Sequence, residues 1–432
     1  MSETLIRQLD LSDVIFSGYG YTVGADIFAL IPYITKNAKE YTWLAFIIGG
    51  LISILNSLSY AKLNIEYPSN DAEYSWIKNS LSVDEPKTEK DEKHNRNVKT
   101  FAKVVIWAVI ILGITMNSVM IVSISNFLTK MGVKSSKHVM NLIIALVPTL
   151  LNFLNVKHMS VANIMVTIIT TVTLSMLPVL SLFKHEHFVD LIPGSLGDSS
   201  LQNILKAIAI TILPYNGYQS VVQMSEEVKD VNNIPKGMLI SGSMTIILYT
   251  LLSVGLIAIL GVSNVSKSKT PIADAFSIFF GKYSGNIVNM VGILTGFTTL
   301  LLSIYSRSRL LSKLGELNIG PKVFDNYGIG NALKGIPVYS IVIIGILSYI
   351  FTILKEDSLE ILTDITNVLT IFVFICVNAC VIYSYYFKDK KKEKDEDQTL
   401  LGRLKDSAPI YAVIAIIILC ILFVKAIKDF ND

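Results

Sequence analysis

Two short clusters of helix-breaking residues sit where an apolar chain should tolerate them least. Gly18, Gly20 and Gly24 interrupt one long apolar run, and Asp26 follows two residues later. Pro214, Asn216 and Gly217 interrupt another run near its middle. Glycine and proline weaken a helix, and unwound backbone at membrane depth is tolerated only where it is buried or lines a cavity. A carboxylate at the centre of a bilayer costs roughly 2.5–3.5 kcal/mol on insertion scales, so Asp26 must face an interior that supplies water, a cation or exposed amides. The chemistry on offer is recognition of a charged small molecule by free backbone groups and one fixed negative charge. The competing reading is of packing glycines, a proline kink and a structural hydrogen bond at Asp26.

The elements that would hold these breaks follow from composition. Only 16% of the 432 residues are charged while 52% are hydrophobic, against about 25% charged in soluble domains. The charges are clumped, and between the clumps lie eleven apolar stretches of roughly 18–28 residues, each long enough to span a ~30 Å hydrocarbon core. They fall at 14–35, 42–65, 102–127, 138–155, 159–183, 203–225, 238–262, 285–306, 337–354, 359–387 and 408–428. The expectation is an all-α, polytopic membrane protein, forming a single transmembrane domain over 1–432 in contact with the lipid bilayer. With the N-terminus on the cytoplasmic side, 24 of the 37 basic residues fall on inner segments, so the positive-inside rule sets that orientation. The plasma membrane is the expected location. The charged segments 83–101 and 388–400 read as solvated cytoplasmic linkers.

Other functional classes find little support. No glycine-rich phosphate loop, HExxH or GxSxG pattern occurs, and the five histidines pair with no nucleophile in a span, so an enzyme is not expected. No basic face points to nucleic acid. Cys376, Cys380 and Cys420 all lie inside apolar spans, which predicts no disulfide-linked partner. Cys376 and Cys380 share one helix face and read as small packing residues rather than a metal pair. His185-Glu186-His187 offers only an isolated triplet, so neither a metal nor a resident cofactor is expected. Asn264-Val265-Ser266 is a glycosylation sequon on an expected outer loop.

The breaks lie in the first and sixth spans, five apart. Two inverted repeats of five helices produce that spacing, with a binding site at the midplane between two discontinuous helices. The repeats would be 14–183 and 203–387, with 408–428 as an extra C-terminal helix.

Four segments in order resemble the amino acid–polyamine–organocation permeases. DVIFSGYGYTVGADIF (Asp13–Phe28) is similar to that family's first helix, GxGxxxGxGIF, with Asp26 in place of the last glycine. SYAKLNIEYPSNDAEYSW (Ser59–Trp76) is similar to its YAEL…FP..GGEY segment, and PYNGYQSVVQMSEEVKDVNNIPKGM (Pro214–Met238) to its FAFxGFE…EEVKNP..NIP signature. SRSRLLSKLGELNIGPKVF (Ser306–Phe324) resembles its SRxLYAMARDGxLP segment. The resemblance covers roughly residues 10–390; the family commonly has twelve spans, one more than counted here.

The resemblance implies a LeuT-type 5+5 inverted-repeat fold with helices 1 and 6 broken, and a secondary transporter that moves amino acids by alternating access. Gly24, Ala25 and Asp26 would hold a substrate carboxylate through their amides. Tyr215, Asn216 and Gly217 would face its ammonium. Gln219 occupies a position where relatives carry an acid, and Asn117 and Ser303 would line the pocket. Tyr215 and Tyr218 would act as aromatic gates, with Glu226 and Arg309 in an inner gate; Glu226 and Glu227 would pair with Arg307, Arg309 or Lys236. Either Na+ or H+ would be the coupling ion. A sodium site would use carbonyls of Gly20 and Val23 with the hydroxyls of Thr295, Thr298 and Thr299; Thr170 and Thr171 stand where some proton-coupled relatives carry a lysine. Asp26 itself suits a cationic amino acid or a polyamine, so a polyamine or cationic amine transporter is the alternative. A non-transporting nutrient sensor of the same fold is the remaining one.

Overall fold

The computed structural model describes residues 10–67, 72–153, 157–192, 201–217, 228–230, 232–325, 336–353, 358–388 and 400–431. Side chains are described for all of these except 157–163, 325, 358, 400–406 and 429–431. Among the described residues the chain is a succession of helices: α1 (Leu11–Thr22), α2 (Asp26–Ala38), α3 (Thr42–Glu66), α4 (Ala72–Leu81), α5 (Glu89–Lys130), α6 (Lys137–Leu151), α7 (Lys157–Ser181), α8 (Leu201–Thr211), α9 (Asn233–Leu260), α10 (Val262–Lys267), α11 (Pro271–Phe280), α12 (Lys282–Glu316), α13 (Val338–Thr352), α14 (Ser358–Tyr383) and α15 (Leu400–Asn431). Seven stretches of the described residues are long and apolar enough to cross a membrane by length and composition. The expected spans at 138–155, 203–225 and 337–354 correspond to shorter apolar helices, and the first expected span is divided between α1 and α2.

The outer faces of the peripheral helices stay apolar. Ile164, Ile168, Val172 and Val179 of α7 and Ile410, Ile417, Ile421 and Val424 of α15 are all more than half exposed. A row of exposed β-branched side chains on a helix is costly in water and satisfied by lipid. The protein is a multi-pass integral membrane protein.

Inside that belt, α5 is the axis, packing against α12, α14, α13 and α4. At 42 residues it is about 63 Å long, well beyond the ~30 Å hydrocarbon core. Its first three turns cover Glu89–Thr100, within the segment expected to be a flexible linker. The helix forms there because Thr88 and Asp91 make a capping box: the Asp91 amide donates to Thr88 Oγ1 (3.2 Å) and the Thr88 amide to Asp91 Oδ2 (3.0 Å). That cap satisfies end groups that a run of mixed charges leaves open. Of the second expected linker, only Lys388 and Leu400 lie within the described residues. Lys388 Nζ pairs with Asp84 (2.6 Å) and donates to the Asn79 carbonyl, tying the end of α14 to the approach of α5.

The second helix pair in the frame is α3 with α14. Asn378 Nδ2 donates to Asn56 Oδ1 (2.6 Å) and Ser59 Oγ donates to Asn378 Oδ1 (2.7 Å), all three buried. These hydrogen bonds, made where no water competes, fix the register of two otherwise featureless apolar helices. Against this frame lie α1 and α2, with α1 along α9 and α2 along α8.

Candidate functional site

The α1–α2 run is broken over Val23, Gly24 and Ala25. Val23 leaves helical geometry (φ −79°, ψ 74°), and the chain resumes as α2 at Asp26 with Ala25 as N-cap. Alanine has no side-chain acceptor, so this N-terminus carries no side-chain cap. The first helical bond of α2 runs from Ala29 N to the Ala25 carbonyl (3.2 Å), which leaves the Asp26, Ile27 and Phe28 amides without a helical acceptor. These free amides lie in a buried segment: Ala25, Ile27 and Phe28 are each no more than 3% exposed. Together with the helix dipole they form an anion-seeking end.

Asp26 shares that first turn. It is 6% exposed, and its Oδ1 is buried with no hydrogen-bond partner among the described residues. No ion pair to it is found there either, so the competing reading of a structural hydrogen bond gains nothing from the described residues. A buried ionised carboxylate without a partner is expensive, and a positively charged ligand is one way to offset the cost.

The second break lies alongside. After α8 the chain tightens into a 3-10 turn at Leu213–Tyr215, where Pro214 lacks the amide to continue, and Asn216 is extended (φ −73°, ψ 107°). Gly217 then meets α1: a Cβ built on it would fall 2.6 Å from the N and Cα of Thr22. Only glycine lets these two backbones touch. The Asn216 side-chain oxygen is buried without a partner among the described residues. Two acceptors without a partner among the described residues, Asp26 Oδ1 and Asn216 Oδ1, thus belong to the two facing breaks.

The hydroxyls of the expected ion site lie on α12. The nearest atom to a Cβ built on Gly24 is Thr299 Oγ1, at 3.5 Å, and one built on Gly296 would fall 3.5 Å from the Ala25 side chain. Gly20 faces Thr167 of α7. Thr295 Oγ1 donates to the Val291 carbonyl (2.8 Å) and lies 2.6 Å from Thr170 Oγ1, while Thr298 Oγ1 donates to the Thr295 carbonyl (3.0 Å). Two of the three threonines on this helix are therefore engaged with their own backbone.

Other expected site residues have different partners. Tyr215 is 3% exposed and its hydroxyl donates to the Phe46 carbonyl of α3 (2.9 Å), which anchors it to the frame. Asn117 is turned to α13, where its Nδ2 donates to Ser348 Oγ (3.2 Å). Ser303 is half-buried one turn beyond Thr299. Arg309 donates to the Tyr305 carbonyl (3.1 Å) and its guanidinium stacks over the Tyr305 ring. Arg307 fills the groove at Gly113 of α5. Tyr218, Gln219, Glu226 and Glu227 lie outside the described residues. His187 sits 3.7 Å from Asp190, and no group of His, Cys, Asp and Glu able to hold a metal occurs among the described residues.

One contributor escaped the sequence reading. Tyr249 of α9 is fully buried and donates its hydroxyl to the Thr22 carbonyl (2.9 Å), at the last residue of α1. A tyrosine in a long apolar helix carries no signal that marks it as reaching into a break.

A family model described as an amino acid permease matches residues 9–428. The chain belongs to the amino acid permease family. Cationic amino acid transporter 4, vacuolar, of Arabidopsis thaliana is 24% identical over 408 residues, covering 88% of this chain and 64% of that protein. Cationic amino acid transporter 8, vacuolar, of the same plant is 21% identical over 404 residues, covering 90% of this chain and 65% of that one. The permease thus spans just under two thirds of the length of these relatives. The inner membrane transport protein YbaT of Escherichia coli strain K12 is 22% identical over 329 residues, 74% of this chain and 72% of its own. Among solved structures, MhsT in complex with L-phenylalanine superposes with a TM-score of 0.64 at 13% identity, covering 96% of this permease and 98% of MhsT. That likeness shows the fold, which is LeuT-type, with the breaks in the first and sixth expected spans.

At the end of the permease bundle away from α1, a polar cluster ties three helices together. The Tyr33 hydroxyl donates to both carboxylate oxygens of Asp364 (3.1 Å each), and Lys206 Nζ pairs with the same carboxylate (3.3 Å). Lys36 pairs with Glu360 (2.7 Å). These contacts join the end of α2 and α8 to α14. At the opposite end, Gly237 of α9 presses against the Val14 side chain of α1.

Proposed function

We propose that this permease is a secondary transporter that carries amino acids across a membrane by alternating access, and that it prefers those with a second, side-chain ammonium. The single observation that carries the reading is the first turn of α2, where free amides and a buried carboxylate without a partner among the described residues occur side by side. An amino acid carboxylate would sit on the Asp26, Ile27 and Phe28 amides. Its ammonium would reach the carbonyls of the Tyr215–Gly217 break and Asn216 Oδ1. A fixed negative charge beside a bound carboxylate is unfavourable unless a cation offsets it, so Asp26 favours a substrate that brings one more positive charge. The names of the plant relatives agree with that class.

Alternating access would proceed by release of one end at a time. The Tyr33–Asp364–Lys206 cluster would open on one side and the Val14–Gly237 contact on the other, with the two breaks as hinges. The basic-residue bias supports placing the N-terminus in the cytoplasm, with the Tyr33–Asp364 end outward. A coupling sodium would be held by Thr299 and by carbonyls of the first break at Gly20 and Val23; uptake indifferent to replacing sodium with choline removes that element.

Asp26 also supports a second reading, a polyamine or cationic amine as substrate. The two separate by competition. Uptake of labelled L-lysine into proteoliposomes, competed by unlabelled L-arginine and not by spermidine, is the expected result. Spermidine as the stronger competitor moves the assignment to the amine class, and absence of any lysine flux refutes both.

A further inference from the structure

We infer that Tyr249 of α9 is a positioning residue of the binding site, the side chain that holds the first break in the shape that receives a carboxylate; this rests on the reading of the two breaks as the site. Two observations meet at the Thr22 carbonyl. The Tyr249 hydroxyl donates to it, and the end of α1 leaves it without a helical donor. The Gly24 amide donates to the same oxygen (2.8 Å). One buried hydroxyl therefore shares its acceptor with the amide on the far side of Val23, the residue where helical geometry is lost.

The ring adds a second tie. It lies 5.4 Å from the Tyr215 ring and 6.1 Å from the Phe46 ring, centroid to centroid. Tyr215 belongs to the second break and Phe46 to α3. Through this one side chain, α9 contacts the first break, the second break and the frame. Free amides bind a carboxylate only if several point at it together, and that depends on the backbone angles over Val23–Asp26. A side-chain carboxylate such as that of Asp26 can re-aim by rotating about its χ angles; a backbone amide cannot. Tyr249 should thus matter more for a ligand with a carboxylate than for one without.

The test uses the full-length purified protein and two probes, L-lysine and cadaverine, which differ by the carboxyl group alone. In Tyr249→Phe the affinity for L-lysine falls about tenfold, the loss of one hydrogen bond, while that for cadaverine changes less than threefold. Tyr60→Phe is the control: Tyr60 is equally buried and donates to Glu73 (3.2 Å), away from the breaks, and its loss leaves both affinities unchanged. Amide hydrogen exchange in the same samples rises across Val23–Phe28 in Tyr249→Phe and not in Tyr60→Phe. Equal losses for the two probes, or unchanged affinity with unchanged exchange, overturn the inference. If the wild type binds neither probe, the reading of the site as an amino acid or amine site fails, while the exchange comparison still decides whether Tyr249 shapes the break.

Discussion

Asp26→Asn isolates the charge at the centre of the account. The substitution keeps the shape of the side chain and its Oδ1 acceptor, and removes the negative charge from a group that is 6% exposed and without a described partner. A hydrogen bond to a charged group is worth about 1.5–3 kcal/mol, so a ligand ammonium held by Asp26 loses roughly tenfold to 150-fold in affinity. A neutral amino acid places no second ammonium there, and its affinity should change less than about threefold. Stability should move the other way. Taking away a buried charge with no counter-ion among the described residues removes a desolvation cost, so the melting temperature of the ligand-free protein should hold or rise. The assay is competition of labelled L-lysine uptake by L-arginine and by L-leucine in proteoliposomes, with thermal unfolding in parallel. Equal loss for cationic and neutral competitors would refute the charge-recognition argument. A lowered melting temperature would show that Asp26 serves the fold instead.

Three further outcomes follow from the same geometry. Gly217→Ala places a methyl 2.6 Å from the Thr22 backbone, and because backbone cannot yield as a side chain can, a loss of roughly 1–3 kcal/mol in stability is expected, read as a lower melting temperature together with lost uptake. Asp364→Asn removes the charge that Lys206 pairs with and weakens the tie to Tyr33; a cysteine placed at Ala209 of α8 should then react severalfold faster with a membrane-impermeant thiol reagent, and an unchanged rate would deny the cluster a role in closure. The exposed Asp91 carboxyl is held below its ordinary range first by its hydrogen bond with Thr88 and then by the Lys87 amide. A carboxyl lowered in this way stabilises at pH above its unfolded value and loses that contribution as pH falls through its folded value. Amide exchange at Glu89–Glu92 should therefore speed up below the usual carboxylate range, and Asp91→Asn should remove the pH dependence.

The two breaks were legible in the sequence because they rest on backbone rules: Gly217 is required where its chain touches Thr22, and Pro214 cannot supply the missing amide. The buried position of Asp26 at the first break was legible because a carboxylate in an apolar run has few inexpensive explanations. Side-chain partnerships were less so. Asn117 was expected in the pocket, yet its amide bonds to Ser348, a residue 231 positions away, and nothing short of the packed bundle reveals that neighbour. Tyr215 was expected as a gate and is tied by its hydroxyl to Phe46. Tyr249 was invisible for the opposite reason, being one more aromatic in an apolar helix until its hydroxyl is seen to meet the Thr22 carbonyl. The start of α5 was misread because charge count was weighed above the Thr88–Asp91 spacing, a helix-start signal within the charged segment.

The central claim is that a cationic amino acid is recognised between the two breaks with Asp26 as its counter-charge. The most direct measurement is binding of L-lysine and L-leucine by titration calorimetry to the purified wild type and to Asp26→Asn. The account predicts that the wild type binds L-lysine at least tenfold more tightly than L-leucine and that the variant loses this preference. A wild type that binds the two equally, or a variant that keeps the full preference for L-lysine, would contradict it.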